Sequence, residues 1–216
     1  MRVTKEGLPF IIPSLVLSIL SFLAGWWIFF GFSIILTSAF CFFFRDPIRR
    51  SSQNSDGLLS PADGRILKIQ NVESCPEFSS PVTVVSIFLS IFNVHITRAP
   101  ISGLVRELEY KPGKFFKAYK EEAGLENEYK SIFLEGDQAK ILVKQIVGFA
   151  ARRIKCFVKK SERVIRGQKI GLMYFGSRVD LYLPQDIQIK VTLNQKVKAG
   201  ITEIAEVYDA NNPQTD

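Results

Sequence analysis

The sequence predicts a mainly β (α+β) soluble domain preceded by an N-terminal hydrophobic helical hairpin. Three observations carry this. Residues 9–44 contain no charged side chain. Beyond them, short runs rich in β-branched and aromatic residues alternate with Gly, Pro, Asn and Asp. Only one stretch among those runs, near Lys114–Ala123, has helical character.

The uncharged run comes first. As a single helix it would be about 54 Å long, against about 30 Å of hydrocarbon in a bilayer. It is therefore expected to fold back as two short helices, near Phe10–Ala24 and Trp26–Phe44, in preference to one tilted span. The turn falls at Gly25-Trp26-Trp27, and paired tryptophans suit a membrane–water interface. Arg2 and Lys5, with Glu6, precede the run; Arg45, Arg49 and Arg50 follow it. Cationic residues on both flanks place both ends on the cytoplasmic side of the cell membrane. A cleaved signal peptide fits poorly, because its apolar core spans about 7–15 residues and a small-residue cleavage site would follow. The division is expected at residue 45, with an anchor over 1–45 and a β-rich domain over 46–216.

The net charge is +7. Basic proteins meet nucleic acid or anionic membranes. There is no long Lys/Arg block and no recognisable nucleic-acid motif, so a nucleic-acid partner is not expected. Cys41, Cys75 and Cys156 are odd in number and far apart, which suggests no disulfide framework and fits a reducing compartment. The one histidine, His95, has no cysteine close in sequence, so no metal site is expected. The oligomeric state is left open.

The strand-like runs of the second domain are Arg65–Val72, Val82–Leu89, Leu104–Tyr110, Ser131–Leu134, Lys140–Val147, Arg152–Val158, Ile170–Phe175, Val179–Leu183 and Ile187–Leu193. Together they predict a mainly antiparallel β domain. A weak repeat runs through it: "ERVIRGQKIG" (162–171) and "QKVKAGITEIA" (195–205) share Lys/Arg-Val-x-x-Gly before an apolar strand. "SPADGRILKI" (60–69) opens with the Pro-x-x-Gly-x-Ile pattern of barrel-sandwich folds, so barrel-sandwich-like elements are expected. That pattern concerns tight turns between curved strands and says little about function. No lysine flanked by methionines marks a swinging-arm carrier.

Three places can carry chemistry. The first is Asp63 in "SPADGRI", where Asp-Gly is in isolation a common turn. The second is "FNVHITRAPISG", with His95 after a strong strand and Arg98 three residues on; a lone histidine is usually a packing or surface residue, but its pKa lies near neutrality. The third is "LMYFGSRVDLYLP" (172–184), where Gly176-Ser177 interrupts two strand-like runs. A Gly-Ser pair is ordinarily a bulge or turn. Asp, His and Ser together are the parts of a nucleophile-activating relay. The hydrolase elbow Gly-x-Ser-x-Gly is absent. A serine after a glycine can instead reach the carbonyl of its own preceding peptide bond.

These blocks, in their order and spacing, resemble the phosphatidylserine decarboxylase proenzymes in their short prokaryotic form. The resemblance covers nearly the whole chain: "FFFRDPIR", "SPADGRI", "NVHITRAPISG", "KPGKF", "ARRIKCFVK", "FGSRVDLYLP" and "NQKVKAG". It implies that Ser177 attacks the Gly176 carbonyl, giving an ester. Loss of the Ser177 α-proton then releases Gly176 as a carboxylate, and hydrolysis leaves a covalent pyruvoyl group and ammonia. The precursor would become a β chain, 1–176, and an α chain, 177–216, that stay together. The pyruvoyl carbonyl would then take the amine of a phospholipid substrate, phosphatidylserine, and accept the electrons released with CO₂, yielding phosphatidylethanolamine.

The resemblance makes Ser177, His95 and Asp63 the candidate catalytic residues, with His95 as proton donor. Longer members carry a second histidine where this chain has Arg98, and a threonine where it has Arg178. Either His95 serves both reactions with Asp63, or Arg98 pairs with Asp63 and activation works differently; the first is favoured. Arg98 and Arg178 could also bind the substrate's carboxylate or phosphate, or form structural ion pairs. "KPGKFFKAYK" (111–120) suits an anionic bilayer surface, or a helix packed on the β domain. Two other readings remain: a membrane-anchored adaptor without catalysis, and a Ser-His-Asp hydrolase.

Overall fold

The computed structural model describes residues 2–49, 57–119, 121–137, 139–148, 153–174 and 177–207. Arg50, Arg152, Phe175 and Gly176, the expected cleavage residue, lie outside the described residues. The chain separates into two compact units, Met1–Ile48 and Arg49–Asp216.

The first unit is the hairpin expected from the uncharged run. Strand β1 (Arg2–Val3) is followed by helices α1 (Leu8–Leu23) and α2 (Trp27–Phe43), and strand β2 (Arg45–Asp46) pairs antiparallel with β1. Helices of 16 and 17 residues are about 24–26 Å long. The sorting of side chains is inverted relative to a protein built for water. Ser14, Ser18, Ser21, Ser33 and Thr37 are buried, whereas Leu23, Trp27 and Ile28 are 74%, 65% and 87% exposed. Small residues let the helices approach closely. Thr37 Oγ1 donates to Ser14 Oγ across the seam at 2.9 Å, and Ser18, Ser33 and Ser38 donate to carbonyls one turn back. Ser14, Ser18, Ser33, Thr37 and Ser38 thus find partners without water.

The second unit is mainly β. Its strands are β3 (Leu58–Leu59), β4 (Gly64–Val72), β5 (Val82–Leu89), β6 (Ile96–Arg98), β7 (Gly103–Lys111), β8 (Tyr129–Glu135), β9 (Lys140–Val147), β10 (Ile154–Cys156), β11 (Arg163–Val164), β12 (Lys169–Met173), β13 (Ser177–Pro184), β14 (Ile187–Ile189), β15 (Lys196–Val197) and β16 (Glu203–Val207). Eight form one antiparallel sheet, β11-β7-β8-β9-β13-β5-β4-β15, curled into a half-barrel. Two three-stranded sheets, β10-β12-β6 and β14-β16-β3, complete the unit. The inner row of β13, Val179, Leu181 and Leu183, packs with Val85, Ile87 and Val143 in the main core.

The weak repeat has a structural meaning. Arg163-Val164 and Lys196-Val197 are two-residue strands, β11 and β15, and they form the two edges of the large sheet. Each is followed by a glycine with positive φ, Gly167 at 81° and Gly200 at 69°, and then by an apolar strand. Very short edges limit pairing with other chains.

One expectation is corrected. The helix read near Lys114–Ala123 is instead a short helix, α3, over Glu121–Glu126. Residues 114–118 are held outside a helix by contacts that no local pattern encodes. Lys114 N donates to Glu126 O at 2.7 Å, and Glu128 N to Lys114 O at 3.1 Å. The Asn127 side chain takes both the N–H and the carbonyl of Phe116, each at 2.8 Å, and also reaches Val147 O. With these groups committed, the i−4 ladder cannot form. The runs at 152–158 and 187–193 likewise contract to Ile154–Cys156 and Ile187–Ile189.

Candidate active site

The site residues gather at the C-terminal end of β5. On one side Ser177, the first residue of β13, pairs with Leu89 of β5 and also with Val147 of β9. On the other side Arg65 of β4 pairs with Phe88, so the turn carrying Asp63 lies just beyond that end. The chain leaving β5 turns through residues 90–94 and reaches His95. There it joins β12: Met173 N donates to His95 O at 3.0 Å, four residues before Ser177. Arg98 N donates to Pro61 O at 2.9 Å, tying β6 to the Asp63 turn.

Ser177 is wholly buried, and its Oγ has no hydrogen-bond partner among the described residues. A buried hydroxyl normally finds one. His95 is 1% exposed, with Nδ1 3.0 Å from Asn93 O. A carbonyl only accepts, so in the neutral ring Nδ1 carries the hydrogen and Nε2 is the nitrogen able to take a proton. Asp63 is 8% exposed. Its Oδ1 accepts from Ala199 N at 2.8 Å and its Oδ2 from Arg49 Nη2 at 2.7 Å. The glycine after Asp63 is required by packing: a Cβ at Gly64 would strike the Phe88 carbonyl.

Sequence reading gave Arg49 only a flanking charge, whereas here it is the ionic partner of Asp63, with both side chains 11% exposed. Arg98 runs past Gly200 and donates to Gly167 O at 2.9 Å.

Arg178 lies on the opposite face of the sheet from Ser177, as alternation along a strand requires. Its guanidinium donates from Nε to Asp180 Oδ1 at 2.6 Å, and from Nη2 to Asp180 Oδ2 at 2.9 Å and Ser86 Oγ at 3.0 Å. Nearby, Lys144 Nζ donates to Gly124 O at 3.1 Å and stands 3.9 Å from the Tyr129 ring centroid. Burial holds the Lys144 ammonium below its ordinary pKa, against the opposing charges of Asp180 and Glu77. Burial raises the Tyr182 hydroxyl on the same face, with help from Asp180.

Cys75 sits beside this cluster. Burial, reinforced by its hydrogen bond to Glu77 at 3.0 Å, pushes its thiol up to about 11. The thiolate is the reactive form, so the folded protein at pH 8 keeps Cys75 inert. Alkylation followed by peptide mapping should label Cys75 much more slowly in native protein than in urea. Equal rates would mean that this face opens readily.

The fold and this cluster define a mainly β-domain protein, preceded in sequence by a hydrophobic helical hairpin, with a candidate nucleophilic serine closed inside its sheet. The sequence pattern of phosphatidylserine decarboxylases matches residues 36–205. The chain is 42% identical over 219 residues to a phosphatidylserine decarboxylase proenzyme of Wolbachia sp. subsp. Brugia malayi, covering 98% of this chain and 94% of that one. It is 38% identical over 207 residues to the protein of that name from Magnetococcus marinus, covering 95% of each. With the Ehrlichia chaffeensis protein of that name it shares 40% identity over 212 residues, 97% of this chain and 93% of that one. The chain belongs to the phosphatidylserine decarboxylase family.

Proposed function

We propose that the chain is a proenzyme that cuts itself between Gly176 and Ser177 and then decarboxylates phosphatidylserine to phosphatidylethanolamine. The observation that carries this is the Ser177 hydroxyl, buried without a partner among the described residues at the start of a strand paired on both sides. That hydroxyl makes no hydrogen bond among the described residues, and its own preceding carbonyl is one peptide bond away. Residue 177 also fits a pyruvoyl group. The side chain has no hydrogen bond among the described residues to lose when its CH2OH becomes the pyruvoyl methyl and a keto oxygen replaces the nitrogen of residue 177, and a neutral group needs no counter-charge where the neighbours are Val179, Leu89 and Val147.

Such a group supplies an electron-withdrawing carbonyl to the carbon that loses CO₂. The chain's own residues do the rest. His95, through Nε2, takes the Ser177 proton in the precursor and later delivers a proton to the headgroup carbon. Asp63, held by Arg49 and Ala199 N, fixes the turn that faces the end of β5. Arg98 and Arg178 are occupied in ways that favour structural roles over substrate binding. Denaturing mass spectrometry tests the reading: two chains corresponding to 1–176 and 177–216 support it. One uncut chain that reacts with a serine-directed probe supports a hydrolase, and an uncut, unreactive chain supports an adaptor.

The hairpin belongs to the same proposal. The hydroxyls of Ser14, Ser18, Ser21, Ser33 and Thr37 face inward and the outer surface is mostly apolar, which suits lipid and not water. Cationic flanks at Arg2, Lys5, Arg45 and Arg49 hold both ends on the cytoplasmic side of the cell membrane. A substrate with two acyl chains stays in the bilayer, and the anchor keeps the β domain at the headgroup layer. A chain shortened to begin at Asp46 retains Arg49. It is expected to cut itself and to act far faster on detergent-dispersed phosphatidylserine than on vesicles. Equal rates on vesicles for the shortened and full-length proteins would show that the anchor is dispensable for substrate access.

A further inference from the structure

A second buried polar atom beside Ser177 lacks a partner among the described residues: Oε1 of Gln145, whose side chain is fully buried. β9 pairs with β13 so that Val147 faces Ser177 and Gln145 faces Val179. Residues two apart on a strand leave from the same face, so Gln145 and Ser177 are diagonal neighbours on one face, within reach of a long side chain. Gln145 Nε2 donates to Thr97 Oγ1. Thr97 belongs to β6, two residues after His95. The amide therefore bridges from the strand beside Ser177 to the strand that follows His95.

The neighbouring sheet is shaped around this bridge. A Cβ at Gly171 of β12 would stand 2.5 Å from Gln145 Nε2 and 3.0 Å from Thr97 Oγ1. Only glycine leaves the amide its place. A fully buried amide oxygen without a donor is destabilising unless a ligand brings one. That oxygen accepts and cannot donate. A primary ammonium is its complement, with three N–H donors and no acceptor.

We infer that Gln145 Oε1 accepts a hydrogen bond from the primary amine of the substrate headgroup and holds that nitrogen at residue 177. The inference rests on the proposed function and adds a residue that selects for an amine bearing N–H groups. A quaternary ammonium headgroup has no hydrogen to give and would leave the oxygen unpaired.

Two variants test it, Gln145→Met, which keeps length and loses the acceptor, and Gln145→Glu, which keeps an acceptor oxygen. Both are expected to process, as read by denaturing mass. With water-soluble dihexanoyl-phosphatidylserine, Gln145→Met should raise KM about 10- to 100-fold with a much smaller change in kcat, the loss of one hydrogen bond to a charged group. Calorimetric binding supplies a second readout. Wild type and Gln145→Glu should bind dihexanoyl-phosphatidylethanolamine more tightly than dihexanoyl-phosphatidylcholine, and Gln145→Met should lose that preference. An unchanged KM in Gln145→Met, or an unchanged lipid preference, overturns the inference while leaving the function standing. Failure of both variants to process also overturns it, because the amide would then serve the precursor. Wild type that stays whole and leaves phosphatidylserine intact overturns the function and this inference together.

Discussion

Ser177→Ala leaves the protein as one chain of full mass, with decarboxylation below detection. Cleavage needs an oxygen on residue 177 to attack the Gly176 carbonyl, and alanine has none. The pyruvoyl group can then never form, so the second reaction is lost with the first. The substitution should not disturb the fold. Ser177 Oγ has no hydrogen bond among the described residues to lose, and the ladder to Leu89 and Val147 is made by the backbone. The stability change is expected to stay within about 0.5 kcal/mol. Intact mass, a melting curve and product formation check this together. Two chains from Ser177→Ala would end the proposal. A collapse in melting temperature would show that the hydroxyl has a structural role instead.

His95 is the second large effect. If its Nε2 serves both reactions, His95→Ala should slow processing and decarboxylation, each by about 100- to 10,000-fold, the usual span for a positioned acid or base. Truncating a buried ring also leaves a cavity, so His95→Gln, which keeps most of the volume and can still reach Asn93 O, is the better comparison. Asp63→Asn should act more mildly on chemistry and more on folding. It removes the charge from a nearly buried carboxylate and leaves Arg49 unpaired, at a cost of about 1–3 kcal/mol. Processing rates come from the loss of the full-length band with time, and decarboxylation from released CO₂. If His95→Gln processes normally yet cannot decarboxylate, His95 is only the later proton donor. If both His95 variants and Asp63→Asn run both reactions normally, neither residue belongs to the mechanism.

Local pattern made much of the fold legible. The bounds of β5 and β9 fall on the expected Val82–Leu89 and Lys140–Val147, because both are continuous β-branched runs with one face in the core. The hairpin was readable because a single helix of that length would overrun the bilayer unless steeply tilted. The site blocks around Asp63, His95 and Ser177 were visible as motifs, but their meeting at one strand end depends on β13 inserting between β9 and β5, and no local signal encodes that order. Other partners were hidden for the same reason. Arg49 read as a flanking charge and Gln145 as an ordinary strand residue, since their partners, Asp63 and Thr97, lie 14 and 48 positions away. The helix expected near Lys114–Ala123 failed where Asn127, later in the chain, claims the backbone of Phe116.

The central place of β13 in the large sheet has a thermodynamic consequence. Before cleavage, folding is a one-chain event and its equilibrium does not depend on dilution. If the proposed cut removes the Gly176–Ser177 bond, the strand filling the gap between β9 and β5 belongs to a separate polypeptide, together with β14, β15 and β16. The native state is then an association of two different subunits, with a stability set by mass action. Unfolded mature protein would have to find its missing strand by diffusion, at a rate that falls on dilution. Nor could it reseal the bond, because the proposed cut would consume Ser177. Maturation would thus turn a reversible folding equilibrium into a kinetically held assembly.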